Sequence, residues 1–221
     1  EDDVPAEETE NWAGVQRNNQ FFTANYELSA SLSIPHSGQT RLAIEQRELA
    51  AQYEHYLAPR KSQDVLLLAR IPLTDSLPQL PGYAQIYFEN SLVNTLWLHF
   101  EAENDTMDLP LGADKSLVVK FNSIPVLSEK KRLGNTAIKH FNYVLEVKNN
   151  RNQAVNLQVE DQLPITAQKE IEITEVELQG AGLEKESGIF TQFLAIAPGG
   201  NKSWKYGWQV RYPANKRVAG L

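Results

Sequence analysis

Apolar residues recur at every second position in short runs separated by Gly, Pro and Asn, and this constrains the fold more than any other feature of the sequence. Strand side chains point alternately to opposite faces, so period two means one buried face and one solvated face, a pattern that an amphipathic helix does not show. The longest run comes first. Phe22, Ala24, Tyr26, Leu28, Ala30, Leu32 and Ile34 alternate with polar partners as far as the turn Pro35-His36-Ser37-Gly38. Val65–Leu73 is apolar on both faces, as in a central strand. After Leu80-Pro81-Gly82, the segments Ala84–Glu89 and Leu92–Phe100 flank Asn90-Ser91 at hairpin spacing. An acidic loop, 101–108, follows, and Leu109-Pro110-Leu111-Gly112 closes the first half.

The second half repeats the pattern. Leu117, Val119 and Phe121 alternate, then Phe141, Tyr143, Leu145 and Val147, then, past the turn 149–152, Val155, Leu157 and Val159. Ile171 and Ile173 share one parity while Val176 and Leu178 take the other, which predicts a bulge or break. Ile189–Ile196, the turn 198–201 and the run Trp204, Tyr206, Trp208, Val210 and Tyr212 complete the chain. Only residues 41–57 are ambiguous: Leu42, Leu49, Tyr53, Tyr56 and Leu57 fit a helical stripe slightly better than two short strands. Many short strands at this spacing predict an all-β chain of two consecutive antiparallel, immunoglobulin-like β-sandwich halves. The expected division is an acidic linker over 1–19, then sandwiches over 20–113 and 114–221.

A chain of 221 residues can bury a core without covalent staples. It has no cysteine, which removes disulfides and thiolate chemistry and leaves the compartment open. The net charge of −7 is local: residues 1–10 hold six of the 28 acidic residues and no basic one, so the rest is nearly neutral. A basic nucleic-acid footprint is therefore missing, as is a Lys/Arg-rich amphipathic helix for a membrane surface. No apolar run approaches the roughly 20 residues that span a bilayer. The acidic opening at Glu1 leads to the expectation that an upstream portion, with any targeting signal, precedes it.

Several ordered blocks carry a family resemblance: residues 143–150 (YVLEVKNN), 159–164 (VEDQLP), 169–173 (KEIEI) and the ending 210–221 (VRYPANKRVAGL). Together with Leu80-Pro81-Gly82 and the hairpin at 88–93, they resemble the C-terminal domain of the mucoidy-inhibitor-A-like family over roughly residues 21–221. The hairpin tip departs from that pattern, with Asn90-Ser91 where the family has Asp-Gly. The resemblance implies a β-rich domain that follows a helical hairpin, an exported or envelope-associated bacterial protein, and no established activity. It also implies strands over 41–57.

The residues that could carry chemistry are scattered. His36, His55, His99 and His140 occupy separate segments with no metal-ligand spacing, and no nucleophile elbow, P-loop or dinucleotide fingerprint is present. No catalytic residue, metal site or cofactor is therefore expected. Asp161 stands out because it continues the apolar parity of Val159 before Gln162-Leu163-Pro164, and a turn-forming carboxylate that accepts backbone N–H bonds accounts for it. Glu101, Glu103, Asp105 and Asp108 have oxygen ligands suited to calcium but lack EF-hand spacing, so a solvated loop is expected. Trp204, Tyr206, Trp208 and Tyr212 are assigned to the core on the packing requirement of a sandwich, and Trp97 with them. The exposed candidates for binding an anion or acidic partner are Lys216 and Arg217.

These readings favour a non-enzymatic envelope module acting through protein contacts or self-assembly. A carbohydrate-binding module is the alternative and requires exposed aromatic rings. A hydrolase is the second alternative and requires two convergent carboxylates in a cleft.

Overall fold

A computed structural model describes residues 15–20, 23–28, 46, 48–73, 81–99, 105–125, 131–133, 135–216 and 218. Among them the regular structure is all-β, as the alternation requires. The first half holds β1 (Val15–Gln20), β2 (Thr23–Leu28), β3 (Gln52–Leu57), β4 (Leu66–Pro72), β5 (Gly82–Phe88), β6 (Ser91–Leu98) and β7 (Thr106–Ala113). The second holds β8 (Leu117–Ser123), β9 (Lys131–Leu133), β10 (Thr136–Asn149), β11 (Val155–Gln162), β12 (Glu172–Glu177), β13 (Gly182–Leu183), β14 (Ile189–Ile196) and β15 (Asn201–Pro213).

Two sheets face each other. One is ordered β12-β15-β10-β8, with β9 also paired to β10; the other is ordered β13-β14-β11-β3-β4-β7. The boundary at 113/114 separates β7 from β8 along the chain, and the six-stranded sheet draws strands from both sides of it. The seam is a parallel pairing, with His55, Tyr56 and Leu57 of β3 opposite Leu157, Gln158 and Val159 of β11. A parallel pair needs a long crossover and not a tight turn, so an early strand can lie beside a much later one.

Between the sheets, Leu145, Val147, Trp204, Tyr206, Trp208 and Val210 meet Leu57, Leu157, Val159, Phe190, Leu194 and Ile196 in one core. The final aromatic run is interior, as expected, with Tyr212 half-buried beside it. Its rings form a ladder: Tyr206 lies 5.4 Å from Tyr143 and 4.4 Å from Trp204, centroid to centroid. On the other parity of β15, Gly207 lets the strand lie close to β10, because a Cβ there would come within 2.6 Å of the Phe141 carbonyl oxygen and collide with the Asn142 side chain.

Several local expectations meet their physical reasons here. The parity switch after Ile173 is a register slip of β12 against β15 between Thr174 and Glu177. The hairpin tip is centred on Glu89 (φ 48°) and Asn90 (φ 62°), one residue earlier than Asn90-Ser91. Two positive φ values match the right-handed twist of the flanking strands, and Ser91 already belongs to β6. β1 takes in residues 15–19, read as linker: backbone pairing with β2 makes this strand, and the polar run after Val15 gives no alternation to detect. Residues 106–108, read as loop, begin β7, which continues through the 109–112 segment that closes the first half. Pro110 and Gly112 (φ 112°) are accommodated by an edge position and a bulge opposite Leu67 and Leu68.

Of the ambiguous stretch, 52–57 is strand, 46 and 48–51 have no regular structure, and 41–45 and 47 lie outside the described residues. The run Phe22–Ile34 is strand over Thr23–Leu28; its remaining positions and the turn 35–38 also lie outside them.

Candidate functional site

Alternation along β11 aims Val155, Leu157, Val159, Asp161 and then Leu163 inward, so one carboxylate enters the rim of an apolar core. A buried charge needs compensating donors, and Asp161 has them. Tyr206 Oη donates to Oδ2 at 2.5 Å, Arg60 Nε donates to Oδ1 at 2.5 Å, and the Gln162 N–H donates to Oδ1 at 2.7 Å. Arg60 stands in the turn after β3 and also donates to the Gln162 carbonyl, with its guanidinium 5.5 Å from the centre of the Trp208 ring. Burial, then the Asp161 charge, push the Tyr206 phenol far above its ordinary range, so it stays a donor. Tyr143 is raised as well, first by burial. On the opposite face of β11, Glu160 accepts from Tyr56 Oη at 3.0 Å; burial, then that carboxylate, push Tyr56 up to about 12.

A pocket of about 270 Å³ adjoins this cluster, lined by Arg60, Lys61, Glu160, Asp161, Gln162 and Ile189 among others. The sequence expectation for Asp161, a carboxylate accepting a strand-end N–H, holds. Its long-range partners, Arg60 and Tyr206, carry no signal in sequence. With both oxygens engaged, Asp161 anchors the turn after β3 onto β11.

A second carboxylate also ties β3 to the second half of the chain. Asp114, in the β7–β8 turn, accepts from Arg151 at 2.5 Å, from Ser116 Oγ at 2.5 Å and from the Ser116 N–H at 3.0 Å, and His55 Nε2 lies 3.0 Å from Oδ2. Burial alone would raise its pKa; the Ser116, Arg151 and His55 contacts outweigh burial and hold it at about 2. The folded value lies below the unfolded one, so the stabilisation is complete above pH about 4 and is lost as pH falls toward 2. It amounts to about 2 kcal/mol. Urea midpoints should therefore fall between pH 4 and pH 2, and Asp114→Asn should flatten that slope; an unchanged slope in the variant would refute the assignment.

The other candidates disperse. His140 lies in β10 opposite Gln209, His99 lies one residue past β6, and His36 is outside the described residues. Among the described residues no three His, Asp or Glu side chains come together as a metal-binding group. Asp108 is held by Arg70 at 2.8 and 2.9 Å, while Glu101 and Glu103 lie outside the described residues. Lys216 is exposed and paired with Glu170, and Arg217 lies outside the described residues. Among the described residues no helix is long and apolar enough to cross a membrane.

Trp97 corrects the core assignment. The β5–β6 hairpin packs Ile86, Phe88, Val93 and Leu96 against Ala69, Leu109 and Leu111, and a two-stranded ribbon has only one such inner face. Trp97 is of opposite parity to Leu96, so it points outward and is 52% exposed. Register places Tyr83 opposite Trp97, Gln85 opposite Thr95, and Tyr87 opposite Leu92. Tyr83 is 82% and Tyr87 62% exposed. The Tyr83 and Trp97 rings lie 4.8 Å apart at 81°. This outward row is the exposed aromatic surface that the sequence reading had not located, although the parity shared by Thr95 and Trp97 was a usable signal.

A family model described as a domain of unknown function (DUF4139) matches residues 2–214. No curated protein and no solved structure matches the chain.

Proposed function

We propose that this chain, which belongs to the family of domains of unknown function DUF4139, is a non-enzymatic recognition module whose binding surface is the outward face of the β5–β6 hairpin. The observation that carries this reading is the exposure of Tyr83, Tyr87, Leu92 and Trp97 together on one ribbon face. Large rings left in water in a contiguous row mark interaction surfaces, because solitary exposed apolar residues are ordinary and grouped ones are not. The carboxylates best placed for acid–base work support the same reading from the other side. Asp161 and Asp114 are occupied in joining β3 and its following turn to the second half of the chain. The resemblance to the mucoidy-inhibitor-A-like family supports a bacterial protein that is exported and works in the envelope, through a partner or through assembly.

The test is a photo-crosslinking amino acid at Gln85, in the middle of the row, in cells that express the protein. Position 85 should give a discrete adduct, and exposed position 156 on the outer side of β11 should not. Equal labelling at both positions, or none at 85, would remove the hairpin face as the recognition surface.

A further inference from the structure

We infer that the outward face of the β5–β6 hairpin binds an uncharged oligosaccharide chain, a reading that rests on this face being the recognition surface. Three features select that ligand. The six side chains of the row, Tyr83, Gln85, Tyr87, Leu92, Thr95 and Trp97, include no charge, so an acidic or basic partner finds no counter-ion there. Aromatic rings alternate with neutral hydrogen-bonding groups: the Gln85 amide and Thr95 hydroxyl lie between the Tyr83/Trp97 pair and the Tyr87/Leu92 pair. A pyranose has the complementary surface, a polarised C–H face that rests on the negative face of a ring and hydroxyls at its edge that exchange bonds with amides and hydroxyls. The Tyr83 and Trp97 rings stand edge to face with centroids 4.8 Å apart, so a sugar unit laid on the outward side of one ring would border the other.

Shape favours a single extended chain as the occupant. Among the described residues neither β5 nor β6 pairs with a third strand. With strands about 5 Å apart and a rise of about 3.3 Å per residue, the row is a strip roughly 10 Å across and roughly 20 Å long. A single glycan chain is narrow enough for the strip and gains from its length, since Tyr83 and Tyr87 are ~13 Å apart along β5.

The experiment titrates the 221-residue chain with cello-, chito- and malto-oligosaccharides by calorimetry. At least one should bind saturably. Trp97→Ala and Tyr83→Ala should each weaken it about tenfold or more without lowering the melting temperature, because both side chains are exposed. Phe193→Ala, a ring exposed on β14, should leave the affinity unchanged. No saturation with any of the three series, or equal affinity in the Trp97 and Tyr83 variants, would overturn the proposal. If sugars fail while Gln85 crosslinks to a polypeptide, the face still recognises a partner and the glycan class is wrong. If both fail, the recognition surface falls with it.

Discussion

Asp161→Ala is expected to lower the free energy of unfolding by about 3 kcal/mol at neutral pH, measured by urea denaturation. Three groups lose their acceptor in that variant. The Tyr206 hydroxyl belongs to a residue only 3% exposed, so the orphaned donor cannot turn to water and costs about 1–3 kcal/mol. The Gln162 N–H loses its side-chain acceptor. Arg60 is different: its side chain is 37% exposed, so it recovers water and contributes the smallest part. Arg60→Ala has the opposite consequence, leaving a buried carboxylate without its cation. A double-mutant cycle across the two should give a coupling of about 0.5–1 kcal/mol. An Asp161→Ala cost below about 1 kcal/mol would mean that the carboxylate does not hold the rim of the core. Because Arg60 follows β3 while Asp161 lies in β11, the same data test whether the parallel seam and the core beneath it unfold in one transition.

The strands were legible in sequence because burial on one face imposes alternation directly on residue identity. Phe141 to Val147, Val155 to Val159 and Trp204 to Val210 all carry that imprint, and each is a strand facing the common core. The slip after Ile173 was legible for the same reason, since a bulge changes parity and parity is written in the side chains. Where the residues do not alternate there is no imprint to read, and in β1 five polar residues follow Val15 although the strand pairs along its whole length with β2. The seam between β3 and β11 was not legible either. It is fixed by main-chain bonds and by which sheet edge is free, and neither depends on local sequence. Trp97 was misplaced by a composition argument, that a sandwich must bury its aromatics, when its parity with Thr95 pointed outward. Asp161 shows both sides of this boundary. Its bond to the next N–H follows from local chain geometry, while Arg60 and Tyr206 reach it only through tertiary structure.

Asn149→Asp should produce the steepest pH dependence of any single exchange considered. Asn149 ends β10 and is fully buried. Its Nδ2 donates to the carbonyls of Gln153 at 2.8 Å, Ala197 at 3.1 Å and Ile196 at 3.3 Å, while Oδ1 accepts the Arg151 N–H at 2.9 Å. One amide thus joins the turn after β10 to the end of β14. Aspartate has the same shape, but when ionised it directs a negative oxygen at three carbonyl oxygens and donates to none. The folded protein must therefore keep this carboxyl protonated, with its pKa raised above the unfolded value of about 3.9. A raised acid binds more protons in the native state, so stability falls as pH rises from about 4 until the folded pKa is passed, by up to about 1.4 kcal/mol per pH unit. Relative to the parent, the variant should lose about 1 kcal/mol at pH 4, where the carboxyl can still donate one bond, and about 4 kcal/mol or more at pH 7. The parent's own acid loss, from Asp114, lies below this window and cancels in the difference. A variant–parent difference that stays constant between pH 4 and pH 7 would show that the three carbonyls find other donors, and that Asn149 does not clamp this end of the sandwich.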